Sequence, residues 1–136
     1  MRVCLDTNVL VAAFATRGLC ADVFRTVLAE HDLVVGDVIL AELRRTLTTK
    51  LKLPADRITA VETVLGAVPV IPKPAEPSDL VIRDAADRWI LATAISGDAA
   101  VLVTGDRDLL DVRAESPIPI LDPREFWQFL RDNPSL

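Results

Sequence analysis

The sequence predicts an α/β fold in which a parallel sheet is covered by helices on both faces. Three observations carry this reading. Segments of strand type alternate with segments of helical period along the 136 residues. Most of the strand segments are apolar at every position, as strands buried on both faces are, and few show the alternation of a half-solvated strand. Two of them, residues 2–5 and 100–103, end in the same way, on an Asp with a Thr close by.

The elements follow in order. Arg2-Val3-Cys4-Leu5-Asp6-Thr7-Asn8 is a short apolar run that stops on an acid, a hydroxyl and an amide. Val9, Leu10, Ala13 and Phe14 then recur at helical spacing. The polar residues therefore stand at the carboxyl end of a strand, where open α/β sheets bind ligands. An Asp at that place also serves as a helix cap. Thr16-Arg17-Gly18 separates this helix from a second, which carries Leu19, Val23, Phe24, Val27 and Leu28 as far as about Glu30. Leu33-Val34-Val35 is a strand closed by Gly36. Asp37 is placed to cap a third helix, with Ile39, Leu40, Leu43 and Leu47 as its apolar stripe. Pro54 suits the first turn of a fourth, in which Ile58, Val61, Val64 and Leu65 face inward and Gly66 is the stop.

Residues 68–71 form the next strand segment. Pro69, Pro72, Pro74 and Pro77 make the stretch around them an extended connection. It is a loop within one domain spanning residues 1–136, because halves of roughly 60 to 70 residues would be marginal alone. A helix runs from Asp84 to about Ser96. The apolar strand 100–103 leads into Thr104-Gly105-Asp106 and a short helix through Leu109-Leu110. Pro119 puts the strand at 118–121 on an edge. Asp122-Pro123 opens a terminal helix with Phe126, Trp127, Phe129 and Leu130.

Composition narrows the function. Hydrophobic residues make up 51% of the chain and the mean hydropathy is +0.34, which excludes disorder. No apolar run reaches the roughly 20 residues that span a bilayer, and Asp6 interrupts any signal-peptide layout. A cytoplasmic protein that does not enter membranes is expected. Cys4 and Cys20 have no metal-ligand spacing, and a structural disulfide is not expected in the cytosol. His31, the one histidine, lies in the polar turn Glu30-His31-Asp32 as a surface residue, away from any Cys–His or Ser–His–Asp grouping. The net charge of -5 is the wrong sign for holding nucleic acid by the overall field. A nucleic-acid substrate would need a local basic patch, bound cations or a partner's charges.

Several acids fit poorly into structural roles. On the helix from Asp84, the inward stripe holds Ile90, Leu91, Ala94 and Ile95, and Asp87 lies one turn before it. A core-facing carboxylate needs an arginine, backbone donors or a metal. Arg83 and Arg88 are close in sequence, where helical neighbours point elsewhere. Glu42 borders the stripe of its helix, as an ordinary boundary residue also would. Asp84 reads as a helix cap or first-turn acid, and Asp108 follows Asp106 in a polar turn. Asp6, Glu42, Asp87 and Asp106 can converge at one end of a sheet if the strands before Asp6 and Asp106 are neighbours. Carboxylates so crowded cannot all stay ionised without cations. Oxygen ligands without His or Cys suit Mg²⁺ or Mn²⁺. Two such ions roughly 3.5–4 Å apart could clamp the attacking and leaving oxygens of a phosphodiester. Thr7, Asn8 and Thr104 would orient these ligands or their waters.

These motifs resemble the PIN-domain family, most closely the small VapC-type toxin ribonucleases, over nearly the whole chain. Leu5-Asp6-Thr7-Asn8-Val9-Leu10 resembles the first motif of the family and Ala41-Glu42-Leu43 the second. Asp84-Ala85-Ala86-Asp87-Arg88-Trp89-Ile90-Leu91-Ala92-Thr93-Ala94 resembles the third. Val103-Thr104-Gly105-Asp106-Arg107-Asp108-Leu109-Leu110 resembles the fourth, with Asp106 its acid and Asp108 a weaker one. The resemblance implies a three-layer α/β/α sandwich with a five-stranded parallel sheet. It implies an endoribonuclease with one or two Mg²⁺ or Mn²⁺ ions on Asp6, Glu42, Asp87, Asp106 and, more weakly, Asp108. A metal-activated water would hydrolyse the RNA without a covalent intermediate. It also implies a homodimer and a small antitoxin partner. Relatives often carry a proline and further acids where this chain has Ala85, Ala86 and Arg88.

Substrate grip falls to Arg44, Arg45, Lys50, Lys52 and Arg57, which follow Glu42 and could hold phosphates; a solvated helix face accounts for them equally well. With four Phe, two Trp and no Tyr, an aromatic stacking platform is not indicated. A haloacid-dehalogenase phosphatase would need a second Asp two residues after the first, and Asn8 stands there. The non-enzymatic alternative is a PIN-like module that binds RNA or protein without cutting.

Overall fold

The computed structural model describes residues 1–134. Five strands form one parallel sheet in the order β3-β2-β1-β4-β5: β1 (Arg2–Leu5), β2 (Asp32–Gly36), β3 (Val70–Ile71), β4 (Val101–Val103) and β5 (Ile120–Leu121). The helices are α1 (Thr7–Ala15), α2 (Leu19–Glu30), α3 (Asp37–Arg45), α4 (Ala55–Gly66), α5 (Ala85–Ser96), α6 (Arg107–Leu110) and α7 (Pro123–Asp132). A π-helical turn, Thr46–Lys50, extends α3 and buries Leu47. The expected α/β/α sandwich is the observed architecture.

Strand order determines where a site can form. From β1 the chain steps outward to β2 and β3, then returns across the sheet to β4 and β5 on the other side of β1. Right-handed crossovers in opposite directions put α1–α2 and α5 on opposite faces, while α3, which follows β2 directly, touches α5. The reversal lies between β1 and β4, paired Val3 with Val101, Cys4 with Leu102 and Leu5 with Val103. The crevice at the carboxyl ends of two such strands is the general ligand site of these sheets.

The sheet core is apolar throughout: Val3, Cys4, Leu5, Val34, Val35, Leu102 and Val103 are all buried. Burial pushes the Cys4 thiol up, so it packs as a small hydrophobe. On the helices, Phe14 and Phe24 join α1 to α2 edge to face, with ring centroids 4.9 Å apart. Two glycines let α5 lie close on the sheet. A Cβ on Gly36, at the end of β2, would overlap the methyl of buried Thr93, and one on Gly97 would meet Val34 Cγ1 at 2.6 Å.

Some sequence expectations are corrected in detail. Gly36, not Asp37, occupies the N-cap of α3, and Asp37 opens the helix without a capping bond. Pro54 is the N-cap of α4 and lies just outside its first turn. The third and fifth strands are two residues each, because the prolines beside them cannot donate to a ladder. Val64 and Ile95, expected to face inward, are exposed, as is Leu28 at the end of the apolar pattern of α2. Thr93 takes the inward place on α5, its hydroxyl satisfied by the Trp89 carbonyl at 2.8 Å. His31 caps the end of α2 half-buried, its Nδ1 without a partner. Among the described residues no single helix is long and apolar enough to cross a membrane.

The close approach of α5 makes a stability prediction. Gly36→Ala should cost about 1–3 kcal/mol, the range for overpacking a filled site. Gly66→Ala, at a helical position with nothing within 4 Å, should instead gain up to about 1 kcal/mol. Urea melts of the two variants compare the effects directly; equal changes would rule out a tight α5–sheet contact.

Candidate active site at the β1–β4 edge

The β1–β4 pairing brings together the two acids that end those strands. Asp6 caps α1, its Oδ1 accepting from the Thr7 amide at 2.7 Å. Its Oδ2 accepts from the Thr104 hydroxyl, also at 2.7 Å. The same Thr104 oxygen accepts from the Asp106 amide at 2.9 Å. Thr104 is fully buried, so one hydroxyl fixes both acids relative to each other. The turn between them is tied down by Asn8, whose side-chain oxygen accepts from Gly105 N at 3.3 Å. Asp106 caps α6, accepting from Asp108 N at 2.8 Å.

Asp87 comes from α5 on the other side of the crevice. It is 6% exposed, and its Oδ2 has no hydrogen-bond partner. The arginine explanation for this buried acid fails: Arg88 Nε donates 2.8 Å away to the Ser78 carbonyl, and among the described residues no arginine bonds Asp87. Its carboxyl is pushed up to about 8, by burial first and then by the charges of Asp106, Asp6 and Asp84. Asp6 is pushed up to about 6, again mainly by burial. The Thr104 and Thr7 bonds oppose that shift, while Glu42 and Asp106 add to it. Thus Glu42, half-buried on α3, acts on Asp6; Asp6 and Asp106 act on Asp87. The four acids form one electrostatic group.

Two further acids join it. Carboxylate oxygens of Asp84, Asp87 and Asp108 all lie within 4.8 Å of one another. Asp84 caps α5 through Oδ1, which accepts from Ala86 N at 2.9 Å. Sequence reasoning finds in Asp84 only a cap or first-turn acid. The signal that could have found its second role is the three-residue spacing to Asp87, which places both acids on one helix face. Asp6, Asp84 and Asp106 all cap helices, so helix N-termini partly offset their charge while each keeps acceptor capacity toward the crevice.

The donor set fits a hard divalent cation. It is all oxygen, it includes a buried unpartnered oxygen, and its mutual repulsion is the kind that a cation relieves. Thr7 Oγ1, buried without a partner, adds a neutral oxygen near Asp6. The basic residues expected to hold RNA divide. Arg45 lines a groove with Glu42. Arg44 instead pairs with Glu62 at 2.8 Å and braces α3 against α4. Lys50 and Lys52 are exposed, at the end of the π-helical turn and beyond it. Arg57 is turned toward the Phe14 carbonyl, 3.4 Å away.

A family model described as the PIN domain matches residues 2–108. No curated protein matches the chain. Among solved structures, the chain is similar to VapBC2 from Rickettsia felis bound to a DNA fragment from their promoter. That match has 19% identity and a TM-score of 0.65, covering 90% of this chain and 98% of that one. VapBC-1 from nontypeable Haemophilus influenzae matches at 20% identity and TM-score 0.59, covering 91% and 99%. PAE2754 from Pyrobaculum aerophilum matches at 22% identity and TM-score 0.62, covering 98% and 91%. At these identities the structures establish a common fold.

The raised carboxyls predict the pH dependence of the metal-free protein. Asp6 and Asp87 titrate at about 6 and about 8 in the fold, above the ordinary 3.8. The folded state then holds protons that the unfolded chain has released, so stability falls as pH rises through this window. In EDTA the Tm should drop between about pH 5 and about pH 8. Asp87→Asn, neutral and nearly isosteric, should melt higher than wild type at the upper end and flatten much of the drop. A wild-type Tm that is level across the window, or an Asp87→Asn variant with the same slope, would contradict this account.

Proposed function

From the premise that the chain belongs to the PIN-domain family, we propose that it is a metal-dependent endoribonuclease and the toxin of a toxin–antitoxin pair. The observation that carries the reading is the buried, unpartnered oxygen of Asp87 facing a group of like charges at the β1–β4 edge. Such an arrangement is costly for a fold and useful to a cation site. Asp6, Asp87, Asp106 and Glu42 would hold Mg²⁺ or Mn²⁺, one or two ions, with Asp108 and Asp84 extending the set beside Asp87. When bound, the cations supply Lewis-acid charge at the scissile phosphodiester and favour an attacking water.

The chain's own groups do the positioning. Thr104 sets the Asp6 carboxylate through Oδ2 and fixes the Asp106 amide. The Thr7 amide holds the other oxygen of Asp6. Asn8 holds the Gly105 turn, so the Asp106 carboxylate keeps its distance from Asp6. In the same proposal, residues 1–136 form one nuclease domain that works in the cytoplasm as a homodimer. The VapBC likenesses support a small antitoxin protein as the partner.

The test is cleavage of a mixed RNA by purified protein with Mn²⁺, Mg²⁺ or EDTA. Wild type should cut only with metal. Asp6→Asn and Asp87→Asn should each lose at least about 100-fold, the scale of several kcal/mol of charge stabilisation. Thr104→Val should weaken Mn²⁺ affinity about 10- to 100-fold, as loss of a ligand-orienting group does, with calorimetry as the readout. Cutting in EDTA, or full activity in Asp87→Asn, would defeat the proposal. A wild type that neither cuts RNA nor binds Mn²⁺ would leave a non-catalytic binding module instead.

A further inference from the structure

One groove beside the acidic crevice has a different chemistry from the rest of this acidic chain. It opens between α3 and α5, has a volume of ≈ 510 Å³, and is bounded by Glu42, Arg45, Lys73, Ala86 and Trp89, with Asp37 also on its wall. Its connection to the site is direct, since Glu42 acts electrostatically on Asp6 and Ala86 precedes Asp87. Lys73, on the proline-rich connection, holds its Nζ 4.4 Å from the centre of the Trp89 ring. A cation over an indole face is a favourable contact, and both partners line the groove, so a guest would reach the indole by displacing Lys73. Trp89 is half-buried, whereas Lys73 and Arg45 lie toward solvent. The indole is packed partly into the fold, and the two cations stand on long, exposed side chains beside it.

We propose that this groove receives one nucleotide of single-stranded RNA next to the cleavage position, the base stacking on Trp89 and the flanking phosphates pairing with Lys73 and Arg45. This rests on the ribonuclease reading and deepens it by naming where the strand is gripped. The features support a nucleotide over an apolar guest. Aromatic faces accept any base by stacking, and Lys and Arg pair with phosphates as point charge and fork respectively. The net charge of -5 means that grip must be local, and in this groove Arg45 and Lys73 put cations beside an aromatic face. Lys73 would leave the ring as the base arrives, its flexible stem swinging to a phosphate. Asp37 and Glu42 are the opposing charges in the groove, and removal of Asp37, which lies outside the metal-holding set, should tighten binding.

Binding is measured by anisotropy of a fluorescein-labelled single-stranded oligoribonucleotide, in Ca²⁺ and in EDTA, with the RNA checked on a gel for integrity. Trp127→Phe leaves Trp89 as the sole indole, so quenching of its emission reports stacking. The expected result is quenching on titration, with Trp89→Ala weakening binding about 5- to 100-fold, the effect of removing one stacked base, and Trp89→Phe restoring most of it. Lys73→Ala and Arg45→Ala should each weaken binding several-fold and lower the salt slope by about 0.7 for each phosphate no longer neutralised. Asp37→Asn should bind more tightly. Circular dichroism confirms that each variant is folded. Absence of quenching in both conditions, or unchanged affinity in all three alanine variants, overturns the proposal. RNA binding that depends on Trp89 and Lys73 without any Mn²⁺-dependent cleavage would defeat the nuclease reading and leave the groove standing. Cleavage with normal KM in Trp89→Ala and Lys73→Ala would do the reverse.

Discussion

The bond from the Thr104 hydroxyl to Asp6 is the interaction on which the site depends. It exists because β1 and β4 pair in parallel with Leu5 opposite Val103, so the residues that follow each strand emerge side by side. Thr104 both donates to Asp6 and accepts from the Asp106 amide. A buried hydroxyl with its donor and both partners satisfied holds geometry well. The other acids are then brought to this pair by helices whose N-termini lie at the same sheet edge.

That edge is where the fold carries its unfavourable charge. The sheet beneath is a continuous apolar layer, and the acids sit on top of it partly desolvated, which pushes Asp6 up to about 6 and Asp87 up to about 8. Helix caps soften the cost for Asp6, Asp84 and Asp106, because each accepts from a backbone amide at a helix start. Asp87 has no such relief on its Oδ2. Concentrating the strain in one carboxylate that faces its neighbours is the feature that a structural role cannot explain, and it is what a divalent cation would resolve.

An acidic chain with an acidic crevice raises the question of how a polyanion would approach. The basic residues that follow Glu42 in sequence do not act as a block. Arg44 is committed to Glu62, Lys50 and Lys52 lie toward the far end of the turn, and Arg45 stays beside the site. Lys73, well separated from them in the chain, stands with Arg45 in the groove beside Glu42. Its contact with Trp89 joins the proline-rich connection to α5, so a stretch with little regular structure gains a defined position next to the acids.

The sequence by itself determined the α/β class, the parallel sheet, the helix starts at Asp6, Asp84 and Asp122, and the presence of an acid out of place at Asp87. Each is a local or periodic property, since apolar continuity reports burial on both faces and a carboxylate inside an apolar stripe needs no partner to be noticed. The PIN-domain motifs were equally legible, being short and tied to strand ends and helix faces. Only the tertiary structure decided that β4 lies against β1, that Thr104 bridges the two strand-end acids, and that Asp84 and Asp108 close around Asp87. It also decided that Lys73 stacks on Trp89 while Arg44 turns to Glu62. Those facts depend on crossovers and on contacts between residues far apart in sequence, such as the 98 positions between Asp6 and Thr104, which no local pattern encodes.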